Sequence, residues 1–360
     1  MERKSLKVAI LGAGICGLSC AIELEKNGVV PLIFERSCNP GWMWPSVSFW
    51  PNVFYNVFGE PRNYLLEQYK IDLLPLGVIN KMTMKSPNRK VEIKGNLGWF
   101  MSRGTRDNSL ANQLIRQLTQ TAIYFNSKED YKNLSERFDY VVIATGKDSE
   151  ARELGVWEDE GIVNVISANV VGSFTPGTAE IYFNTDYAGT GYGRVTPFSS
   201  SSAIVSLCTI GKNELDLLQC FRDFIRKENL DKSEYVFRFS PPPFTTGKVN
   251  KFKVGNVLLS GRAAGLTERV LGCGGFEALV SGTLAAKAIV SGEDYDTLVK
   301  PIKDHVENIS AFRKIVNKFN NEDFDKLISN LEIPGVKQVI YNSGISFTDM
   351  VGKVIKSIQN

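Results

Sequence analysis

The spacing of hydrophobic residues predicts a strand, a helix and a second strand at the start of the chain. Residues 7–11 form a short apolar run typical of a buried strand, and residues 15–27 place apolar side chains at helical spacing until Gly28. Residues 29–34 form a second apolar run that ends at Glu35. We therefore predict a β-α-β unit over residues 7–35.

Strands and helices continue in mixed order along the rest of the chain. Apolar runs and alternation predict a hairpin within 79–96 and strands over residues 138–144, 179–184, 203–210 and 256–260. Helical spacing predicts helices over residues 107–121, 215–228 and 276–291, and over much of the last sixty residues. The first and last thirds of the chain therefore carry a nucleotide-type α/β unit, and the middle supplies a second sheet.

Residues 39–58 interrupt this pattern with proline, glycine and many aromatic side chains. We expect a structured loop with one helical turn. Its aromatic residues either line an apolar channel or form the loop's own core. They are Trp42, Trp44, Phe49, Trp50, Phe54, Tyr55 and Phe58.

Composition and charge narrow the class of protein. The chain has 360 residues, of which 43% are hydrophobic, and a formal net charge of only +3, so we expect no nucleic-acid partner. No apolar run approaches the ~20 residues of a membrane-spanning helix. The six cysteines form no CxxC pair and no signal peptide is recognisable, which predicts reduced thiols and a cytoplasmic protein. His305 is the only histidine, and we expect it on the surface of a C-terminal helix.

A glycine-rich turn joins the first predicted strand to the first predicted helix. Gly12 makes the tight turn, Gly14 lets the backbone approach a pyrophosphate, and Gly17 lets the helix pack on the sheet. The backbone of Ile15 and Cys16 then offers free N–H groups to the phosphates. This pattern predicts a bound dinucleotide.

The acid that ends the second strand specifies the dinucleotide further. Glu35 lies at the distance along the chain at which an acid accepts hydrogen bonds from ribose hydroxyls. Because Arg36 follows an acid here, we expect an unphosphorylated ribose, and hence FAD or NAD in preference to NADP.

Four later stretches resemble the flavoprotein superfamily of p-hydroxybenzoate hydroxylase and geranylgeranyl reductase, and are most similar to the geranylgeranyl reductases. The stretches are RGTRDNSL (103–110), ATGKDSEAR (144–152), GYGRVTP (191–197) and GRAAGLTERVLGCGG (261–275). Glu35-Arg36 is similar to the acid-arginine pair at the adenosine end of the family's cofactor. The last stretch resembles the family's GDAAGxVxPxxGxG loop, and GYGRVTP resembles the strand that walls its lipid pocket.

The resemblance implies a glutathione-reductase-type, Rossmann-like FAD-binding domain, a second β-sheet substrate domain and C-terminal helices. The implied FAD-binding domain is discontinuous and comprises residues 1–75, 98–158 and 245–300. Residues 76–97 and 159–244 would form the substrate domain, and residues 301–360 a C-terminal helical segment. Beyond the glycine-rich turn and Glu35-Arg36, the implied cofactor-binding residues are Arg103, Ala144, Thr145, Gly146, Gly261, Arg262, Gly272, Gly274 and Gly275.

The chain departs from the family at five arginine or threonine positions. Arg262 and Thr145 replace aspartates, Arg269 stands where the family has proline, and Arg194 and Thr196 stand where its pocket strand has aromatic residues. One interpretation is that these side chains are solvated. A second is that Arg262 pairs with the FAD pyrophosphate while Arg194 and Arg269 face an anionic head group of the substrate. A third is that flavin binding has been lost.

Two side chains are candidates for proton transfer near the flavin. Tyr192 is a candidate proton donor to a carbanion, and the alternative is an ordinary aromatic residue of a core strand. Cys273 lies in the part of the loop that the family places beside the flavin, and the alternative is a small buried residue between glycines.

The resemblance implies an FAD-dependent oxidoreductase that reduces carbon–carbon double bonds of an apolar, isoprenoid or lipid-like substrate, with NAD(P)H as a candidate electron donor. Two alternatives remain: an FAD-dependent aromatic monooxygenase, and a protein that binds flavin or an apolar ligand without turnover. Residues 347–360 are amphipathic, which allows either peripheral contact with a membrane or docking on the protein itself.

Overall fold

A computed structural model describes residues 6–41 and 45–332. Its strands are β1 (Val8–Leu11), β2 (Leu32–Phe34), β3 (Ser46–Pro51), β4 (Gly77–Val78), β5 (Lys81–Lys85), β6 (Lys90–Lys94), β7 (Gly98–Arg103), β8 (Ala122–Tyr124), β9 (Tyr140–Ile143), β10 (Trp157–Val171), β11 (Thr178–Tyr182), β12 (Tyr192–Pro197), β13 (Ser202–Thr209), β14 (Glu234–Phe239), β15 (Phe244–Val249), β16 (Lys253–Val254) and β17 (Val257–Leu259). Its helices are α1 (Ile15–Lys26), α2 (Asn52–Tyr55), α3 (Pro61–Tyr69), α4 (Leu110–Ile115), α5 (Tyr131–Arg137), α6 (Ser149–Glu153), α7 (Thr185–Ala188), α8 (Leu217–Lys227), α9 (Gly275–Ser291), α10 (Tyr295–Val316) and α11 (Asn321–Glu332).

The first sheet contains the predicted β-α-β unit. Its six strands run in the order β16-β17-β9-β1-β2-β8, and β1 pairs in parallel with both β2 and β9. All four residues of β1 are buried, as expected for a strand covered on both faces. The carboxyl ends of β1, β9 and β17 therefore meet at one edge, where a doubly wound sheet binds its ligands.

The second sheet is formed by the middle of the chain. Its strands run in the order β14-β10-β13-β12-β11-β5-β6, and β15 also pairs with β10. The hairpin predicted within residues 79–96 is confirmed, because β5 and β6 pair antiparallel. The fifteen-residue strand β10 pairs with β15 along its first half and with β13 and β14 along its second half.

A third, small sheet corrects the expectation of a loop at residues 39–58. β3 pairs with β7, and β7 pairs with β4, so residues 46–51 form a strand that α2 follows directly. Four aromatic residues of this stretch are at most 4% exposed and belong to the main core: Phe49, Trp50, Phe54 and Tyr55. These four residues are thus core residues, but they belong to the main core and not to a core of the loop's own, while Trp42 and Trp44 lie outside the described residues.

Two further expectations concern the helices. The helix predicted over residues 107–121 is confined to α4, which starts at a Ser109 cap and spans only six residues. His305 is not on the surface: it lies on α10 and is 8% exposed. His305 is covered by α2 and α9, since its ring centroid lies 6.0 Å from that of Tyr55 and its Nε2 lies 3.8 Å from Oε1 of Glu277.

The division of the chain into domains stays a prediction. The strands of the first sheet lie within the ranges predicted for the FAD-binding domain, and those of the second sheet lie mainly within 76–97 and 159–244. Within residues 6–41 and 45–332, no helix is long and apolar enough to cross a bilayer. The amphipathic stretch at 347–360 is outside this part of the chain.

Helices α1 and α9 cross in close contact above the first sheet. A Cβ atom on Gly282 of α9 would lie 2.1 Å from the carbonyl oxygen of Cys16 on α1. The Ser19 hydroxyl donates a hydrogen bond of 2.9 Å to the carbonyl of Leu279 across the same contact. This crossing holds the loop before α9 next to the glycine-rich turn before α1.

We predict that Gly282→Ala separates the two helices and lowers the free energy of unfolding. Alanine normally favours a helix by about 1 kcal/mol over glycine. Overpacking against the Cys16 carbonyl should outweigh that gain and cost about 2 kcal/mol net. Chemical denaturation measures the difference. Gly77→Ala is the control because its Cβ would meet no described atom within 4 Å. Equal stability of the two variants would show that the crossing is not close-packed.

Candidate functional site

The glycine-rich turn after β1 is closed on one side and open on the other. Gly12 has φ +105°, and a Cβ there would lie 2.6 Å from the carbonyl oxygen of Ala144 at the end of β9. A Cβ on Gly17 would lie 2.1 Å from the Gly12 carbonyl. By contrast, a Cβ on Gly14 would meet no described atom within 4 Å. The first and third glycines therefore serve packing, and the middle one faces open space.

The first turn of α1 presents its backbone, not its side chains, to that space. Gly14 is the cap residue and supplies no side-chain acceptor, so the N–H groups that follow it are left for another acceptor. Ile15 and Cys16 are both buried. The Cys16 thiol donates a hydrogen bond of 3.1 Å to Ser260, and burial raises the pKa of Cys16 to about 11.

Glu35 lies at the end of β2, as predicted, but its carboxylate has protein partners. Oε2 accepts a hydrogen bond of 2.9 Å from the N–H of Ala13, and Oε1 accepts bonds from the N–H and hydroxyl of Ser37. Glu35 therefore ties the end of β2 to the glycine-rich turn. Arg36 next to it is exposed. Ribose binding by this pair stays a prediction.

Arg103, at the end of β7, has no polar partner. Its side chain is half-buried, and no hydrogen-bond acceptor or ion-pair partner for it lies within residues 6–41 and 45–332. Burial lowers the pKa of Arg103 to about 10, so the guanidinium is still charged at neutral pH. A guanidinium with no protein acceptor is paired either with water or with a bound anion.

The segment after β9 closes the same edge of the sheet. The N–H of Ala144 donates to the carbonyl of Leu11, which places it directly beside the glycine-rich turn. The hydroxyl of Thr145 donates to Glu150 at 3.3 Å and so points towards α6. Gly146 has φ +67°, and a Cβ atom at this position would meet no described atom within 4 Å.

The guanidinium of Arg262 stacks on an aromatic ring. It follows Gly261, whose N–H donates to Ser281 of α9, and its Cζ lies 3.9 Å from the centroid of the Phe244 ring. Burial lowers the pKa of Arg262 to about 10, and the nearby carboxylate of Asp148 partly offsets this effect. The predicted pairing of Arg262 with a pyrophosphate stays a prediction, with Phe244 as its neighbour in this structure.

A buried carboxylate organises the loop that precedes α9. Glu268 is 0% exposed and accepts hydrogen bonds from the N–H groups of Val270, Leu271 and Cys273, at 2.6, 3.1 and 2.6 Å. The sequence analysis did not select Glu268, because an acid next to Arg269 in a loop is typically solvated. These donors are therefore satisfied inside the protein. In α9, the first backbone N–H that bonds within the helix is that of Ala278, so the N–H groups before it in the first turn have no intrahelical acceptor.

The glycines of this loop allow close packing near the start of α9. Gly272 has φ +70°. A Cβ on Gly274 would lie 2.6 Å from the Thr267 hydroxyl, and one on Gly275 would lie 2.7 Å from Nε1 of Trp50. Trp50, from β3, therefore forms a wall beside the N-terminus of α9.

Tyr192 and Cys273, the two candidates for proton transfer, come together at the same loop. The Tyr192 hydroxyl donates a hydrogen bond of 2.5 Å to the carbonyl of Leu271, and both side chains are at most 8% exposed. Burial raises the pKa of Tyr192, and burial together with the Glu268 carboxylate raises that of Cys273. Both groups therefore hold their protons at neutral pH.

The remaining two arginines have partners on neighbouring elements. Arg194, on the same face of β12 as Tyr192, donates a hydrogen bond of 3.0 Å to the carbonyl of Val47. Arg269 forms an ion pair with Glu160 and donates to the carbonyl of Gly247. Arg269 is thus neutralised within the protein, which weakens its predicted role in binding an anionic head group.

A cleft opens at the far end of β12. It has a volume of about 240 Å³, and polar and apolar atoms contribute nearly equally to its exposed lining. The lining includes Leu76, Val78, Phe100, Pro176, Pro197 and Phe198, with Asn80 as a polar member. The guanidinium of Arg106 lies 4.0 Å from the centroid of the Phe198 ring. Of the strand expected to wall a substrate pocket, Pro197 lines this cleft, and a role of the strand in substrate binding stays a prediction.

The residues fit the pyrophosphate end of FAD. The open space at Gly14 and the uncapped start of α1 are features that suit a bound diphosphate, and Arg103, at the end of β7, is a cation with no protein partner among the described residues. Among the described residues, no group of three or more His, Cys, Asp or Glu side chains is arranged to hold a metal ion.

Comparison with known proteins supports this architecture. A sequence profile described as an NAD(P)-binding Rossmann-like domain matches residues 10–67. A structure of a geranylgeranyl bacteriochlorophyll reductase-like protein from Thermoplasma acidophilum superposes with a TM-score of 0.72 at 17% identity, covering 99% of this chain and 96% of that chain. A flavoprotein/dehydrogenase from Cytophaga hutchinsonii superposes with a TM-score of 0.69 at 15% identity, covering 99% of this chain and 100% of that chain.

A third similar structure is a p-nitrophenol 4-monooxygenase from Pseudomonas putida. Its TM-score is 0.61 at 13% identity, and the match covers 98% of each chain. No curated protein matches the sequence. The predicted fold, and the resemblance to the superfamily at the level of the fold, are therefore confirmed.

We predict that Glu268→Ala destabilises the protein by about 3 kcal/mol, because it leaves three backbone donors without an acceptor and each buried unsatisfied donor costs about 1–3 kcal/mol. Glu268→Gln keeps one acceptor oxygen and should therefore lose less stability than Glu268→Ala. Urea denaturation of both variants, with the exposed Glu67→Ala as the control, measures the effect. Wild-type stability in Glu268→Ala would mean that water or another group satisfies these donors.

Proposed function

We propose that the protein is an FAD-dependent oxidoreductase that reduces a carbon–carbon double bond in an apolar substrate. The observation that carries the proposal is the open start of α1 at Gly14, whose backbone N–H groups have no side-chain cap. The Arg103 guanidinium, at the end of β7 in the third sheet, is a cation without a protein partner among the described residues, and the pyrophosphate of a dinucleotide is an anion that it can bind. The flavoprotein folds of the similar structures support flavin as the redox-active part of that dinucleotide.

Bound FAD would supply hydride transfer, and this chain's residues would bind the cofactor, orient the substrate and supply its proton. Arg103 and the N–H groups after Gly14 would hold the pyrophosphate. The N-terminus of α9, beside Trp50, would face the ring. Reduction of a double bond adds a hydride to one carbon and a proton to the other, and the Tyr192 hydroxyl is the proposed source of that proton. Solvent then returns a proton to Tyr192, and an electron donor such as NAD(P)H restores the reduced cofactor.

The length of β12 supports an elongated substrate. Tyr192 lies at the loop before α9, and Pro197 lies at the cleft. With a rise of about 3.3 Å per residue, these two ends of the strand are about 16 Å apart. A chain-like, isoprenoid or lipid-like molecule spans this distance, with Arg194 between the ends available to a polar or anionic group.

The first test is the cofactor. We expect the purified protein to release FAD on denaturation, or to take it up when it is added, as measured by visible absorption. Arg103→Ala should weaken FAD binding by about 10- to 100-fold, because a hydrogen bond to a charged group contributes about 1.5–3 kcal/mol. Arg222→Ala, which removes an exposed arginine of α8, is the control. A colourless wild type that rejects added FAD contradicts the proposal.

The same titration decides the role of Arg262. If Arg262 binds the pyrophosphate, Arg262→Ala loses affinity for FAD as Arg103→Ala does. If the guanidinium only stacks on Phe244, Arg262→Ala behaves like Arg222→Ala.

The second test concerns turnover. With an isoprenoid alkene as substrate and reduced flavin in anaerobic solution, Tyr192→Phe should lower kcat by about 10²- to 10⁴-fold. Arg194→Ala should mainly raise KM. Tyr235→Phe is a matched control, because Tyr235 also donates to a backbone carbonyl, that of Leu230, but lies on β14. Oxygen consumption stimulated by an aromatic substrate, without alkene reduction, would instead identify a monooxygenase.

A further inference from the structure

Three polar side chains meet in a buried, aromatic environment behind the loop that precedes α9. Tyr55 comes from α2, Glu277 from the first turn of α9 and His305 from the middle of α10. Tyr55 and Glu277 are 0% exposed, and His305 is 8% exposed. Nε2 of His305 lies 3.8 Å from Oε1 of Glu277. The sequence analysis selected neither Glu277 nor His305 for a chemical role.

The polar atoms of this trio are unsatisfied. Oη of Tyr55, both carboxyl oxygens of Glu277 and Nε2 of His305 have no hydrogen-bond partner among the described residues. The surroundings are aromatic: the Phe58 ring lies 4.9 Å from the His305 ring, and the Phe276 ring lies 4.9 Å from the Tyr55 ring. A charge placed here is therefore not compensated by hydrogen bonds.

This environment determines where the proton of the pair resides. A buried ion pair is favourable only when further hydrogen bonds satisfy its remaining donors and acceptors, and here those bonds are lacking among the described residues. A neutral carboxylic acid beside a neutral imidazole avoids both desolvation costs. Burial correspondingly raises the pKa of Glu277 to about 8 and lowers that of His305 to about 4.

The other titratable groups near the pair do not reverse this choice. From the loop, the carboxylate of Glu268 further raises the pKa of Glu277. Tyr55 from α2 and Cys273 from the loop hold their protons, because burial raises the pKa of each. Tyr64 of α3 contacts Phe276, not the pair. Arg313 of α10 faces Glu268 and is hydrogen-bonded to Asn317 and to the carbonyl of Thr190.

We propose that Glu277 and His305 share one proton, held as the neutral carboxylic acid of Glu277, and that this pair keeps an ionised carboxylate out of the first turn of α9. An ionised carboxylate in the first turn would cancel the partial positive charge of the helix end. The protonated pair leaves that charge available to an anionic group bound in front of α9. This role rests on the proposed function. Glu277 is then a positioning residue: because it stays neutral, it favours the negative charge that two-electron reduction adds to a flavin.

The first experiment needs no flavin. Because His305 is the only histidine, its imidazole ¹⁵N signals in the labelled protein have a single source. We expect a neutral imidazole from about pH 5 to 9, with a small shift near pH 8 as Glu277 loses its proton, and Glu277→Gln should abolish that shift. Glu307→Gln, on the same helix, is the control and should retain it. A positively charged imidazole at neutral pH would overturn the proposal, because it identifies an ion pair.

Stability gives a second readout that is also independent of flavin. The pKa of Glu277 is raised on folding from 4.5 to about 8, so its protonation stabilises the fold below pH 4.5 and this contribution is lost as the pH rises to about 8. Relative to Glu277→Gln, the wild type should therefore become less stable by up to tenfold in the unfolding constant per pH unit across this window. A difference that does not change with pH would overturn the proposal.

The third experiment tests the link to the cofactor. In the flavin-loaded protein, the midpoint potential of the wild type should fall more steeply above about pH 8 than that of Glu277→Gln, since ionised Glu277 disfavours added negative charge. Identical pH profiles would overturn the electrostatic role. If the protein binds no flavin, the proposed function fails, whereas the imidazole and stability measurements still decide whether the pair holds its proton.

Discussion

The crossing of α1 and α9 is the constraint on which the candidate site depends. Gly282 has no side chain at the point where α9 meets the Cys16 carbonyl, and Ser19 bonds across the contact. The hydroxyl of Ser281 on α9 accepts a hydrogen bond from the N–H of Gly261, so the segment after β17 is held at the same crossing. Two segments that are about 250 residues apart in sequence, the glycine-rich turn and the loop before α9, are therefore held side by side.

Buried charge distinguishes the two ends of this site. Arg103, at the end of β7, is a half-buried cation that lacks a protein partner among the described residues. At the end near α9, the protein supplies its own acid, because Glu268 occupies the backbone donors of the loop.

Local sequence patterns were sufficient to predict those elements whose structure depends on neighbouring residues in the sequence. The β-α-β unit, its glycine-rich turn and the terminal acid Glu35 were predicted correctly, because short-range sterics and strand burial determine them. The strand at residues 46–51 was missed because its apolar residues follow proline and glycine, and only pairing with β7 stabilises it. His305 was expected at the surface for a related reason, since the elements that bury it come from distant parts of the chain.

The sequence by itself determined the dinucleotide-binding framework and the set of candidate cofactor-binding residues. Only the tertiary structure decided which polar groups are already satisfied: Glu35 by Ala13 and Ser37, Arg269 by Glu160, and the loop donors by Glu268. It also decided which groups are left without hydrogen-bond partners among the described residues, including Glu277 and His305. The physical reason is that hydrogen bonding and desolvation depend on distances between elements far apart in sequence, which periodicity does not encode.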